Sequence, residues 1–272
     1  MYIENRNHKR LFTRVTGEGT AVLLIHGVMV DSDFYQDAAA YLSRYYKVIT
    51  YDRRGYSRSE KEDSYSLRAQ AEDAKDILDF LGIAKAVVIG ASAGGMIAMK
   101  LADLYPEMVM KCIVHEPPVV CFGDTITKDE KDWMVKINQC IEAGKYRKGV
   151  MTFLAGSGGQ QNVHARPVST EKIDQHIQNG LIFISGEFRE QLTEDSSIFD
   201  IEHLRSSGLI IPTVGDSSGD TYAVRGTRKL AEQLHKELVY VPGGHNAPYD
   251  LPYEFAIMMR GIIEMEKSNE SG

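Results

Sequence analysis

Short, nearly continuous apolar runs alternate with amphipathic segments through the first part of the chain, the pattern of buried parallel strands joined by helices. Runs over residues 21–25, 46–51, 86–89 and 111–114 each give way to Gly, Asp or a polar cluster, and predict four strands that open into loops. Between the second and third, Leu67, Ala71, Ala74, Ile77, Leu78 and Leu81 share one helical face and Gly82 follows as a stop signal, predicting a helix over 67–81. From about residue 120 to 205 the alternation lapses into helical patterns, among them Trp133, Val135, Ile137, Cys140 and Ile141, and then a Gly-rich turn over 156–159. Strand character resumes over 209–214, followed by a helix over 222–234, a strand over 238–241 and a last helix from Pro252. The predicted class is α/β: a doubly wound, mostly parallel sheet built from residues 1–119 and 206–272, with 120–205 inserted as a helical cap. In such sheets, function collects at the C-terminal ends of the strands.

Composition narrows this picture. A length of 272 residues, with 43% hydrophobic and 25% charged, suits one well-buried α/β domain and leaves disordered, collagen-like and coiled-coil classes without support. The formal charge of −7 comes without any dense Lys/Arg block, which argues against nucleic acid as a partner. Cys112, Cys121 and Cys140 form an odd set with no CxxC spacing, a usage that fits reduced thiols better than a disulfide framework or a metal site. The first ten residues are polar and charged and no run of about 18 apolar residues occurs, so the expectation is a cytoplasmic protein with no membrane contact. A small-molecule substrate is the expected partner, with a homodimer left open.

The chemistry concentrates in three places. Gly90-Ala91-Ser92-Ala93-Gly94-Gly95 is a GxSxG sequence set between an apolar strand and the helical pattern starting at Met96. A serine on so tight a turn needs small neighbours on both sides, and its hydroxyl is presented to an incoming carbonyl carbon. The helix that follows directs unpaired N–H groups and its positive end toward developing negative charge, which makes the Ala93 N–H an oxyanion donor. A Gly-rich turn with an incidental serine is the competing reading of this sequence taken alone. Near the other end, Val241-Pro242-Gly243-Gly244-His245-Asn246 follows a strand and precedes a helix. An imidazole there can take up the serine proton near neutral pH and return it to a leaving group. His26-Gly27-Val28 follows the first strand, where His26 reads as a packing and hydrogen-bonding residue rather than a base.

With these signals in this order, the chain resembles the α/β-hydrolase superfamily over nearly its whole length. The resemblance implies Ser92 as nucleophile, His245 as general base and Val28 as the second oxyanion N–H. It also matches Asp52-Arg53-Arg54-Gly55-Tyr56-Ser57-Arg58-Ser59 to the family's DxRGxGxS turn, with Tyr56 read as standing where a glycine is usual.

The carboxylate is less direct. The family commonly takes it from the loop after the strand at 209–214, where this chain reads Gly215-Asp216-Ser217-Ser218-Gly219-Asp220 and a serine, Ser218, holds the expected place. The rival is Glu116 in His115-Glu116-Pro117-Pro118, after the preceding strand, as in the zearalenone-lactonase branch that this stretch partly resembles. Adjacent parallel strands end about 5 Å apart, so either strand end can serve His245. Glu116 is the favoured acid, Asp220 the alternative, with Asp216 behind both.

The implied activity is hydrolysis of an ester, lactone or thioester of a small apolar substrate through an acyl-enzyme on Ser92, with no metal or cofactor. Carbon–carbon bond hydrolysis by the same triad and slow-turnover ligand reception on the same fold stand as alternatives. Trp133, with Met134, Phe153 and Phe183, offers an apolar lining for the substrate or, equally, a core for the cap.

Overall fold

The run at 21–25 is a strand because it can be buried on both sides: Leu23 and Ile25 turn to one face of the sheet, Val22 and Leu24 to the other, and all four are inaccessible. In the computed structural model, which describes residues 1–156 and 166–265, this strand lies near the middle of an eight-stranded sheet. The strands are β1 (Tyr2–Glu4), β2 (Arg10–Thr16), β3 (Ala21–Ile25), β4 (Lys47–Tyr51), β5 (Ala86–Ala91), β6 (Val109–His115), β7 (Ile210–Gly215) and β8 (Val239–Val241). They run in the order β1-β2-β4-β3-β5-β6-β7-β8, parallel from β4 to β8 and antiparallel at β1 and β2.

Helices cover both faces. Connecting β3 to β6 are α1 (Gln36–Leu42), α2 (Leu67–Phe80) and α3 (Ala93–Leu104). Helix α2 starts at Ser66, whose hydroxyl accepts from the Ala69 N–H at 3.2 Å, and it buries Leu67, Ala71, Ala74, Ile77 and Leu78, the face predicted from the sequence. Between β6 and β7 the described residues contain helices only: α4 (Lys128–Glu142), α5 (Tyr146–Gly156), α6 (Thr170–Ile182), a π-helical turn at Phe183–Glu187, α7 (Phe188–Gln191), a 3-10 turn at Ser196–Ile198 and α8 (Ile201–Ser207). After β7 come α9 (Tyr222–Leu234), α10 (Ala247–Asp250) and α11 (Pro252–Glu264). Side chains of α2, α3, α8 and α9 make one core layer with the sheet, and those of α1, α10 and α11 make the other.

A third apolar cluster lies among the helices between β6 and β7, joining Trp133, Met134, Ile137, Val150, Phe153, Phe183, Ile184 and Phe188 to Met29 of the loop after β3. Of the turn expected over 156–159, Gly156 ends α5 and the remainder lies outside the described residues.

The N-terminal pair β1–β2 escaped the sequence reading. It is an edge, so only alternate residues such as Ile3, Leu11 and Thr13 are buried, while Phe12 lies between the guanidinium groups of Arg14 and Arg58 rather than in the core.

Candidate active site

The turn between β5 and α3 is built by close backbone approach. A Cβ placed on Gly90 would fall 2.2 Å from the Gly94 carbonyl oxygen, and one on Gly94 would fall 2.0 Å from that of Ile25, so only hydrogen fits at either. Between them Ser92 has φ 53° and ψ −127°, a conformation that side-chain-bearing residues seldom adopt and that lifts its hydroxyl off the end of β5. Its backbone N–H donates to the His115 carbonyl at 2.8 Å, which anchors the turn to the neighbouring strand.

Ala93 opens α3, and among the described residues neither its N–H nor that of Val28 has a protein acceptor. Gly27 packs against the serine: a Cβ there would meet Ser92 Cβ at 3.1 Å and Oγ at 3.7 Å. The Gly27–Val28 and Ser92–Ala93 peptide groups, which carry the two expected oxyanion donors, therefore both adjoin Ser92. His26 is fully buried, donates from Nδ1 to the Gly27 oxygen at 2.8 Å and accepts at Nε2 from the Arg53 N–H at 3.1 Å. Burial, reinforced by the Arg53 charge, pulls its pKa down to about 4 and keeps it neutral, in keeping with a packing role.

Glu116 follows β6 directly, also at positive φ (47°), and is fully buried. Its Oε1 accepts from the Gly215 N–H at 2.8 Å and from the Ser218 hydroxyl, and its Oε2 lies 2.7 Å from His245 Nδ1. Burial alone would raise the carboxyl pKa, but the hydrogen bond and charge of His245, with His115 and the Ser218 hydroxyl, bring it down to about 2. The His245 side chain keeps about one-third of its surface exposed, so one edge of the ring is held and the rest reaches toward solvent.

The other two carboxylates of the loop after β7 are engaged elsewhere. Asp220 is exposed and pairs with Arg225 at 3.2 Å and Arg228 at 3.3 Å, and Asp216 accepts from the Gly243 N–H at 3.0 Å. Nor does Asp220 cap α9, a position taken by Thr221, which accepts from the Val224 N–H. Ser218, at the place where the family resemblance puts an acid, instead donates to the acid one strand away.

His115 was not singled out from the sequence, although it precedes Glu116 directly. Its carbonyl holds Ser92, while its ring, buried beside Phe255, bonds Thr213 Oγ1 at 3.3 Å and the Gly244 carbonyl at 3.2 Å. One residue thus ties the serine turn to the loop that carries His245. Burial lowers its pKa, and the neutral ring can donate at Nε2 and accept at Nδ1.

Two expectations are corrected. Trp133 is 8% exposed, donates from Nε1 to the Thr152 carbonyl at 2.8 Å and packs against Phe153, Phe188 and Tyr222, so most of its surface is spent on the inter-helix core. In the Asp52–Ser59 turn the non-glycine residue in the glycine-favouring conformation is Ser57 (φ 46°), not Tyr56, which is buried under the Arg53 guanidinium.

Cys112, Cys121 and Cys140 are unbridged and buried. Among the described residues no helix is long and apolar enough to cross a membrane, and no group of three or more His, Cys, Asp or Glu is arranged to hold a metal ion.

Residues 20–145 match a family model described as the alpha/beta hydrolase fold. An uncharacterized hydrolase of Bacillus subtilis, YraK, is 29% identical over 272 aligned residues, covering 94% of this chain and 93% of its own length. Epoxide hydrolase 4 of Mus musculus is 42% identical over 103 residues, 36% of this chain and 28% of the relative. Among solved structures, a thermophilic esterase from Thermogutta terrifontis superposes with a TM-score of 0.75 at 19% identity, with 97% of each chain covered. Sheet order, the strained serine turn and these matches together show that the chain has the α/β-hydrolase fold.

Proposed function

We propose that the chain is a serine hydrolase that cleaves an ester, lactone or thioester of a small apolar substrate through an acyl-enzyme on Ser92. The observation that carries this reading is the 2.7 Å contact between His245 Nδ1 and a buried, fully hydrogen-bonded Glu116, beside a serine turn. A carboxylate at Nδ1 keeps the proton there and leaves Nε2 with its lone pair, the tautomer a general base needs.

In this reading Ser92 Oγ bonds to the carbonyl carbon as His245 Nε2 takes its proton, and the carbonyl electrons move onto an oxygen held by the Val28 and Ala93 N–H groups. The C–O bond to the leaving group (C–S in a thioester) then breaks, and that group departs with the proton from His245. Water repeats the sequence, giving up a proton to His245 as its oxygen bonds to the acyl carbon, and Ser92 leaves re-protonated. Glu116 remains ionised throughout, orienting the ring and stabilising its protonated form.

The partial match to an epoxide hydrolase does not favour ring-opening of epoxides, because the relatives that do this chemistry attack with an aspartate and this chain has serine in that place. The esterase among the structural neighbours supports acyl transfer by analogy of fold. Residues 120–205 are read as the cap that sets substrate size, and the three unbridged thiols fit a reducing cytoplasm. The test is a panel of esters, lactones, thioesters and vinylogous diketones, with Ser92→Ala as control and a fluorophosphonate label on Ser92. Diketone cleavage without ester turnover would move the assignment to carbon–carbon hydrolysis, and labelling without turnover of any substrate would move it to a ligand receptor.

A further inference from the structure

Arg53, at the end of β4, is completely buried, and each end of its guanidinium has a distinct task. Nη2 donates to the Gly27 carbonyl oxygen at 3.1 Å, while Nη1 donates to Glu187 Oε2 at 2.9 Å and to Gln70 Oε1. Glu187 belongs to the π-helical turn between β6 and β7, 134 residues away in sequence, and it too is inaccessible. The Gly27 oxygen receives a second donor from His26 Nδ1 at 2.8 Å, and His26 is itself held by the Arg53 backbone N–H.

The Gly27 carbonyl and the Val28 N–H are the two ends of one peptide group. In a planar trans peptide they point in opposite directions, so whatever fixes the oxygen fixes the hydrogen. We infer that Arg53 is a positioning residue for the oxyanion donor: it grips the Gly27 oxygen so that the Val28 N–H faces the Ser92 side, and Glu187, reaching in from the helical insertion, holds Arg53 in that pose. This inference rests on the acyl-transfer reading proposed above and adds to it a path from the insertion to the reacting carbonyl.

Stability is a weak reason for the pair. Buried ion pairs recover their desolvation cost only when their remaining polar atoms are satisfied, and here Arg53 Nε and Glu187 Oε1 have no hydrogen-bond partner among the described residues. A cationic donor on the carbonyl also polarises the peptide, strengthening the N–H as a donor at its far end.

The test compares wild type, Arg53→Lys and the double variant Arg53→Met/Glu187→Met, which replaces the pair by apolar side chains and leaves no buried charge unmatched. The readouts are kcat and KM for p-nitrophenyl acetate and the affinity for phenylboronic acid, whose tetrahedral adduct on Ser92 places an oxygen against the oxyanion donors. We expect kcat to fall roughly tenfold to a hundredfold in both variants, with boronate affinity falling in parallel and KM within about threefold of wild type. Unchanged kcat in a folded double variant, or a loss confined to KM, overturns the inference. Should the double variant fail to fold, unchanged kcat in Arg53→Lys overturns it equally, since an ammonium cannot span Gly27 and Glu187 as a fork does. A wild type no faster than Ser92→Ala would instead remove the acyl-transfer reading and this inference with it, whereas an active wild type matched by its variants removes this inference alone.

Discussion

Ser218 donates its hydroxyl to the carboxylate of Glu116, so the loop after β7 supports an acid that comes from the end of β6. The loop in which the family resemblance implies the acid thus supplies part of the hydrogen-bond shell of Glu116, the candidate acid. Glu116 accepts from Ser218 and Gly215 on one oxygen and faces His245 on the other, an arrangement that uses both oxygens and orients the ring.

Replacing Glu116 by Gln should lower kcat by about a thousandfold or more with the fold intact, because an amide no longer stabilises the protonated ring. Asp220→Asn should stay within about twofold, since Asp220 is itself exposed and pairs with Arg225 and Arg228 rather than with His245. Steady-state kinetics on the two purified variants, with circular dichroism as a check on folding, decide the matter. The opposite ranking would discard Glu116.

Ser218→Ala removes one of the contacts on Glu116 and should reduce kcat/KM about threefold to tenfold. A stronger expectation concerns rescue: in a Glu116→Gln background, Ser218→Asp returns a carboxylate to the loop after β7, and activity should rise at least about tenfold over Glu116→Gln alone. No recovery, with both proteins folded, would mean that residue 218 cannot reach His245.

Gly94→Ala should prevent stable folding, because its methyl would sit 2.0 Å from the Ile25 carbonyl oxygen. At Gly27 the nearest atoms are 3.1 Å and 3.3 Å away, so Gly27→Ala should fold yet lose activity by pressing on Ser92. Soluble yield and thermal melting separate the first case from the second, and esterase rate reads the second. A fully active Gly27→Ala enzyme would contradict the packing of this loop on the serine.

Stability should fall on mild acidification because of His26. Its folded pKa of about 4 lies below the ordinary value of 6.5, so the unfolded chain binds the proton more readily. The stabilisation from a neutral His26 is complete above about pH 6.5 and is lost as pH falls through 4, an effect of roughly 3 kcal/mol. Urea unfolding at pH 7, 6, 5 and 4 should show this slope in wild type and a shallower one in His26→Gln. Equal slopes would show that another group governs the window.

Much of the candidate site was legible because the chemistry proposed for it needs local sequence. The serine turn tolerates only small neighbours, His245 stands in a glycine-containing loop, and Glu116 closes a strand, so each left a short signature. Three features left none. The β1–β2 edge buries only alternate residues and reads as polar. Arg53 and Glu187 are charged types ordinarily taken for surface, and only folding brings them together across 134 residues. His115 acts through its backbone carbonyl and through a ring partner 129 residues away, neither of which a pattern of side-chain types records. The role of Trp133 was open for a different reason: an aromatic at helical spacing serves a pocket or a core equally well until its neighbours are known.

The buried guanidinium of Arg53 also limits how the molecule could be re-engineered. Transplanting a foreign helical segment between β6 and β7, to broaden or change what the protein accepts, would strip away the anion that Glu187 contributes. Unless the graft brings its own carboxylate to that spot, or Arg53 is exchanged at the same time, the chimaera would bury an unmatched cation, a penalty that confines modular exchange to donors bearing a compatible acidic residue.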